Sequence, residues 1–162
     1  MKGRPPYVGP AFFSYSQLVT RTPHLYSSAV VTLVFFYGTL MTGFDRRRRL
    51  GLDDQLSFRG RGWIRAALFD LGLYPAAVPN SDGKVWGELF EVADPSRVLT
   101  ALDEIEGHDV RTPETSLYVR RQVAVRLGDD SDAEAWAYFY NAPLGAAPRI
   151  PSGDYLSYLN VK

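Results

Sequence analysis

The chain of 162 residues contains no cysteine, which removes disulfides, thiolate metal sites and a cysteine nucleophile at once. A reducing cytoplasm suits that inventory and is the expected location. Histidine is nearly missing as well. His24 and His108 are too few for a histidine-built cage, so no metal is expected. Net charge is also absent, because 18 lysines and arginines balance 18 aspartates and glutamates. No global field draws the chain onto nucleic acid or an anionic membrane, and neither is expected as a partner. Long hydrophobic runs are lacking too: the longest, Val30 to Tyr37, is interrupted by Thr32 and falls well short of the roughly 20 residues that cross a bilayer.

What is present describes one globular domain. The length allows a sizeable core and is short for two ordinary domains. Apolar residues make up 46% and charged residues 22%, near the average for a folded soluble protein. Aromatics reach 14%, including 10 tyrosines, a content that suits strands and a partly polar pocket.

Residues 1–30 read as a leader. They carry Lys2, Arg4, Arg21 and His24, no acid, three prolines in the first ten positions and no sustained periodicity. A disordered tail, a transit peptide and a start assigned too far upstream all fit this composition. The domain is expected over residues 31–162. Val31 to Phe36 is a β-branched and aromatic run with the character of a strand buried on both faces, and it ends in the turn Tyr37-Gly38-Thr39-Leu40. Arg46 to Arg49 follow on a short helix or loop. Trp63 to Leu71 alternates loosely as a second strand, and Gly72 to Pro79, with two prolines, reads as a loop.

Val85 to Val92 alternates cleanly and predicts a strand. Asp94-Pro95 then supplies an N-cap followed by proline at the first helical position, so a helix is expected from there to about Glu106, with Gly107 as its stop. Leu117 to Leu127 and Ala133 to Tyr140 read as two further strands joined by the turn-rich Gly128 to Asp132. About five strands and one well-marked helix, without βαβ alternation, predict an α+β domain. Its expected architecture is a small, partly closed mixed β-barrel with one or two flanking helices.

The helix carries one carboxylate on its apolar face. Stepping 100° per residue from Val98 puts Leu102 at about 40°, Leu99 at about 100° and Glu106 between them at about 80°. Asp103 borders the stripe and Glu104 faces away, so Glu106 is the acid aimed inward. Partial burial disfavours a charged carboxylate and lifts its pKa toward the range useful for proton transfer. Two simpler readings remain open at this point: fraying of the last turn into solvent, and an ion pair with an arginine such as Arg120. The arginine run likewise reads either as a solvated face or as a recognition element for an anionic group.

Tyr37-Gly38-Thr39-Leu40 after a hydrophobic first strand, with Leu102-Asp103-Glu104-Ile105-Glu106-Gly107 later, resembles the gamma-glutamylcyclotransferase-like family, including its gamma-glutamylamine cyclotransferase relatives. Val85 to Leu89, Tyr118-Val119-Arg120 and the closing Ile150 to Tyr155 follow the family's pattern in the same order. The resemblance implies an enzyme that releases 5-oxoproline and a free amine or amino acid from a small gamma-glutamyl compound, with no cofactor. It implies Glu106 as the general acid/base and Tyr37, Gly38, Thr39 and Leu40 as the substrate cradle. Glycine at 38 is expected to let the ligand approach closely. Tyr118 is a further candidate for binding substrate, with core packing as the alternative. A non-catalytic binding or regulatory domain on the same fold is the rival function, and a monomer or small homo-oligomer is the expected assembly.

Overall fold

The computed structural model describes residues 30–161, so all but the last residue of the expected leader lies outside the described residues. Five strands and three α-helices follow in order: β1 (Leu33–Phe36), α1 (Arg46–Arg49), β2 (Leu56–Asp70), β3 (Pro75–Val92), α2 (Pro95–Glu106), β4 (Tyr118–Leu127), β5 (Asp132–Tyr140) and α3 (Tyr155–Val161). The strands close into a barrel in the order β1-β3-β2-β4-β5.

Two hairpins supply most of the ring. β4 and β5 pair antiparallel from Tyr118 opposite Tyr140 to Arg126 opposite Asp132. β2 and β3 pair from Leu56 opposite Val92 to Asp70 opposite Pro75. The seams are thinner. β1 meets β5 in parallel through Val34 and Trp136, and β2 meets β4 at Gly62–Leu127 and Trp63–Arg126. This is the small mixed barrel expected, drawn into a complete ring.

The expected loop over Gly72 to Pro79 is corrected: most of it is strand. The connection is short, closed by Leu71 N–H donating to Tyr74 O at 3.1 Å and Gly72 N–H donating to Asp70 Oδ1 at 2.7 Å. Proline survives in β3 because Pro75 opens the strand and Pro79 sits beside the register shift between Arg65 and Ala66, the kinds of position where a strand tolerates it.

Helix α2 forms as its ends dictate. The Asp94 side chain accepts from Arg97 N–H at 3.1 Å, and Gly107 takes the left-handed conformation at φ 64° that halts the helix. Val98 and Leu102 are buried against the barrel, Leu99 and Ile105 partly so. Burying that stripe fixes the rotation of α2 and therefore the heading of every acid on it.

Candidate active site

The turn after β1 and the end of α2 face each other across one cavity of about 110 Å³. Tyr37, Gly38, Thr39 and Leu40 line one side, Ile105 and Glu106 another. Tyr74 and Pro75 from the start of β3, Tyr118 from β4 and Tyr138 from β5 complete the wall, with Arg46 of α1. The space admits the end of a small molecule, with the remainder projecting through the mouth.

The three acids of α2 take three environments. Glu104 is exposed. Asp103 accepts from the Tyr138 hydroxyl at 2.7 Å and pairs with Arg120 at 3.3 Å. Glu106 is half-buried in the cavity, and its pKa is pushed from 4.5 up to about 7, chiefly by burial, against a smaller downward pull from Arg46. The ion pair with Arg120 left open by the sequence is therefore made by Asp103, and the cation that acts on Glu106 is Arg46.

The turn that shares the cavity with Glu106 spans residues 37–40. Met41 N–H closes the turn onto Gly38 O at 3.0 Å, while the N–H groups of Gly38, Thr39 and Leu40 have no protein acceptor among the described residues. Backbone N–H groups that lack a protein acceptor in residues lining a cavity can serve an anionic oxygen. The turn is held from behind by Glu88, a buried carboxylate on β3 whose Oε2 accepts from Thr42 N–H at 2.7 Å.

Glycine at 38 also has a packing reason. A side chain there would drive its Cβ to 2.8 Å from Cγ of Pro75. Close packing of the turn on β3 is therefore one reason for the glycine, beside the one expected.

The tyrosines are tied into the walls. Tyr37 donates from its hydroxyl to Tyr138 O at 2.6 Å and accepts from Ala77 N–H at 3.4 Å. Tyr118 donates to Pro75 O at 3.1 Å. Burial raises the pKa of Tyr37, Tyr118 and Tyr138, and the nearby Glu106 charge raises each further. All three stay neutral at physiological pH, leaving Glu106 as the carboxyl poised there.

Sequence reasoning passed over Glu88, Tyr74 and Tyr138. Glu88 carried a usable signal, since it shares a strand face with Phe90 and Val92, the same kind of misplacement that picked out Glu106. Tyr74 was hidden by reading its segment as loop, and Tyr138 reads as one more strand aromatic.

The closed five-strand mixed barrel is the fold expected of the gamma-glutamylcyclotransferase-like family. Comparison with known proteins agrees: the sequence model of the family "Gamma-glutamyl cyclotransferase, AIG2-like" matches residues 34–157, and the chain belongs to that family. It is 33% identical over 89 residues to the gamma-glutamylcyclotransferase family protein YtfP of Escherichia coli, a match spanning 55% of this chain and 66% of that one, just under two thirds. Among solved structures it resembles YkqA of Bacillus subtilis (TM-score 0.60, 25% identity) over 81% of this chain and 42% of that one. An AIG2-like protein of Mus musculus (TM-score 0.60, 22% identity) is matched over 77% of this chain and 88% of that one and shares the fold. Among the described residues no helix is long and apolar enough to cross a membrane.

Proposed function

We propose that this chain releases 5-oxoproline from a gamma-glutamyl compound, with Glu106 as the proton carrier and the amides of residues 38–40 as the cradle. One observation carries the reading: a carboxyl held near neutrality by burial shares a small cavity with a turn whose N–H groups at residues 38–40 have no acceptor among the described residues.

Ionised Glu106 takes a proton from the substrate's α-ammonium group. The freed nitrogen attacks the γ-carbonyl carbon, forming the ring C–N bond and placing negative charge on the carbonyl oxygen. Fixed N–H groups stabilise such an oxyanion without reorganising. Glu106 then delivers its proton to the departing nitrogen, and the old C–N bond breaks with its electron pair leaving on the amine. The carboxylate finally removes the second proton from the ring nitrogen and returns it to solvent or to the released amine. A group titrating near pH 7 can both accept and donate under physiological conditions. Attack is intramolecular, so holding the glutamyl chain folded supplies much of the acceleration.

Purified protein is expected to release 5-oxoproline from at least one member of a panel of gamma-glutamyl dipeptides and gamma-glutamylamines. Glu106→Gln, which keeps size but cannot carry the proton, is expected to lose at least about 100-fold in kcat. Turnover in that variant equal to the parent's would remove Glu106 from the mechanism.

A further inference from the structure

The proton-transfer scheme leaves one charged group of the cavity without a task. Arg46 donates from Nη1 to Thr39 Oγ1 at 2.9 Å, and among the described residues no carboxylate lies within ion-pair distance of it. A guanidinium has five N–H donors, so most of its fork stays open. The other arginines of α1 are placed differently. Arg47 lies over the Phe90 ring with Asp53 3.5 Å from its Nε, Arg49 pairs with Asp45 at 2.6 Å, and Arg48 is exposed. The run is therefore mostly an outer face, with a single member turned into the cavity.

A gamma-glutamyl amino acid carries two carboxylates, and the cavity offers two anion acceptors. The glutamyl carboxylate is present in every gamma-glutamyl compound, whereas the second belongs to the departing amino acid. In that leaving group the carboxylate carbon is two bonds from the nitrogen that Glu106 must protonate, about 2.5 Å away. It therefore falls beside Glu106, where the electrostatic pull of Arg46 is felt. The open amides lie in the turn that ends in buried Leu40, while Arg46 is half-buried near exposed Leu117. The deep acceptor suits the constant glutamyl end and the outer one suits the variable part.

We infer that Arg46 is a specificity-determining residue that pairs with the carboxylate of the departing amino acid, so that the preferred substrates are gamma-glutamyl-α-amino acids rather than neutral gamma-glutamylamines. This rests on the cyclotransferase reading. Thr39 supports the arrangement by holding one guanidinium nitrogen through its hydroxyl, which orients the rest of the fork toward the cavity.

The matched pair gamma-glutamyl-alanine and gamma-glutamyl-alaninamide differ only in that charge. With full-length protein, kcat/KM for 5-oxoproline release is expected to favour the acid by at least about tenfold, the usual scale of a charge-assisted hydrogen bond. Arg46→Gln should bring the acid-to-amide ratio close to one, mainly by raising KM for the acid. Arg46→Lys should fall between, since an ammonium keeps the charge but loses the fork. A ratio in Arg46→Gln equal to the parent's would overturn the inference. So would an equal loss on both substrates, which would put Arg46 on the glutamyl carboxylate instead, and so would a parent that turns over neutral gamma-glutamylamines but not the acid. Those three outcomes leave the cyclotransferase reading standing. A parent silent on acid, amide and neutral amines alike would refute that reading, and this inference with it.

Discussion

Glu106 sits under two opposing influences, and their balance can be read by titration. Burial disfavours its ionised form and Arg46 favours it, with burial the larger. The ionised carboxylate is needed to open the reaction, so kcat/KM should rise with pH and level off above about 7, the pKa of the free protein. Removing a nearby cation raises the pKa of a carboxyl. Arg46→Gln should therefore move the rising limb to higher pH, and a gamma-glutamyl-alkylamide is the substrate that shows this without a carboxylate of its own. A limb that stays in place would mean that Arg46 does not act on Glu106 in solution.

The turn at 38–41 and the strand behind it form a unit whose geometry depends on a group outside the cavity. Glu88 accepts from Thr42 N–H just past the turn and is itself buried. Glu88→Ala leaves that N–H without its acceptor and should cost about 1–3 kcal/mol in urea unfolding, while Glu88→Gln keeps a carbonyl oxygen there and should cost less. The element that holds Glu106 was legible in the sequence because its signals are local. Asp94-Pro95 and Gly107 mark the ends of α2, and apolar spacing sets its rotation. The alternation of Val85 to Val92 and the turn residues between β4 and β5 are local in the same way. The start of β3 was hidden because Pro75 and Pro79 read as breakers until the register shift opposite Ala66 is known, and that shift is a property of two strands. Arg46 entering the cavity while Arg48 faces solvent could not be resolved either, since α1 has four residues and the run is chemically uniform. Gly38 was legible as a turn, but Pro75, the neighbour that requires it, is distant in sequence and reaches it only through barrel closure.

For the whole molecule, the placement of Glu106 is a cost to folding that varies with pH. An unfolded chain exposes this carboxyl and ionises it near the ordinary 4.5, whereas the folded chain holds the proton until about 7. Between those values the folded state binds the proton more tightly, so stability falls as pH rises through this window. Below about 4.5 the penalty is absent, and above about 7 it is complete, on the order of 3 kcal/mol. The barrel has few means to relax around the group: its seam between β1 and β5 rests on Val34, which is fully buried, opposite Trp136, and α2 is held by buried Val98 and Leu102. Repacking to expose Glu106 would uncover that core, so the penalty is carried by the molecule as a whole. Glu106→Gln cannot ionise and should lack this dependence. Urea unfolding of the parent and the variant at pH 4.5, 6 and 8 is expected to show a stability difference that grows in the variant's favour from the first pH to the last, while its turnover is lost. Parallel stabilities across the range would show that the folded protein lets Glu106 ionise as freely as the unfolded chain does, and a general base poised near neutrality would then have no physical support.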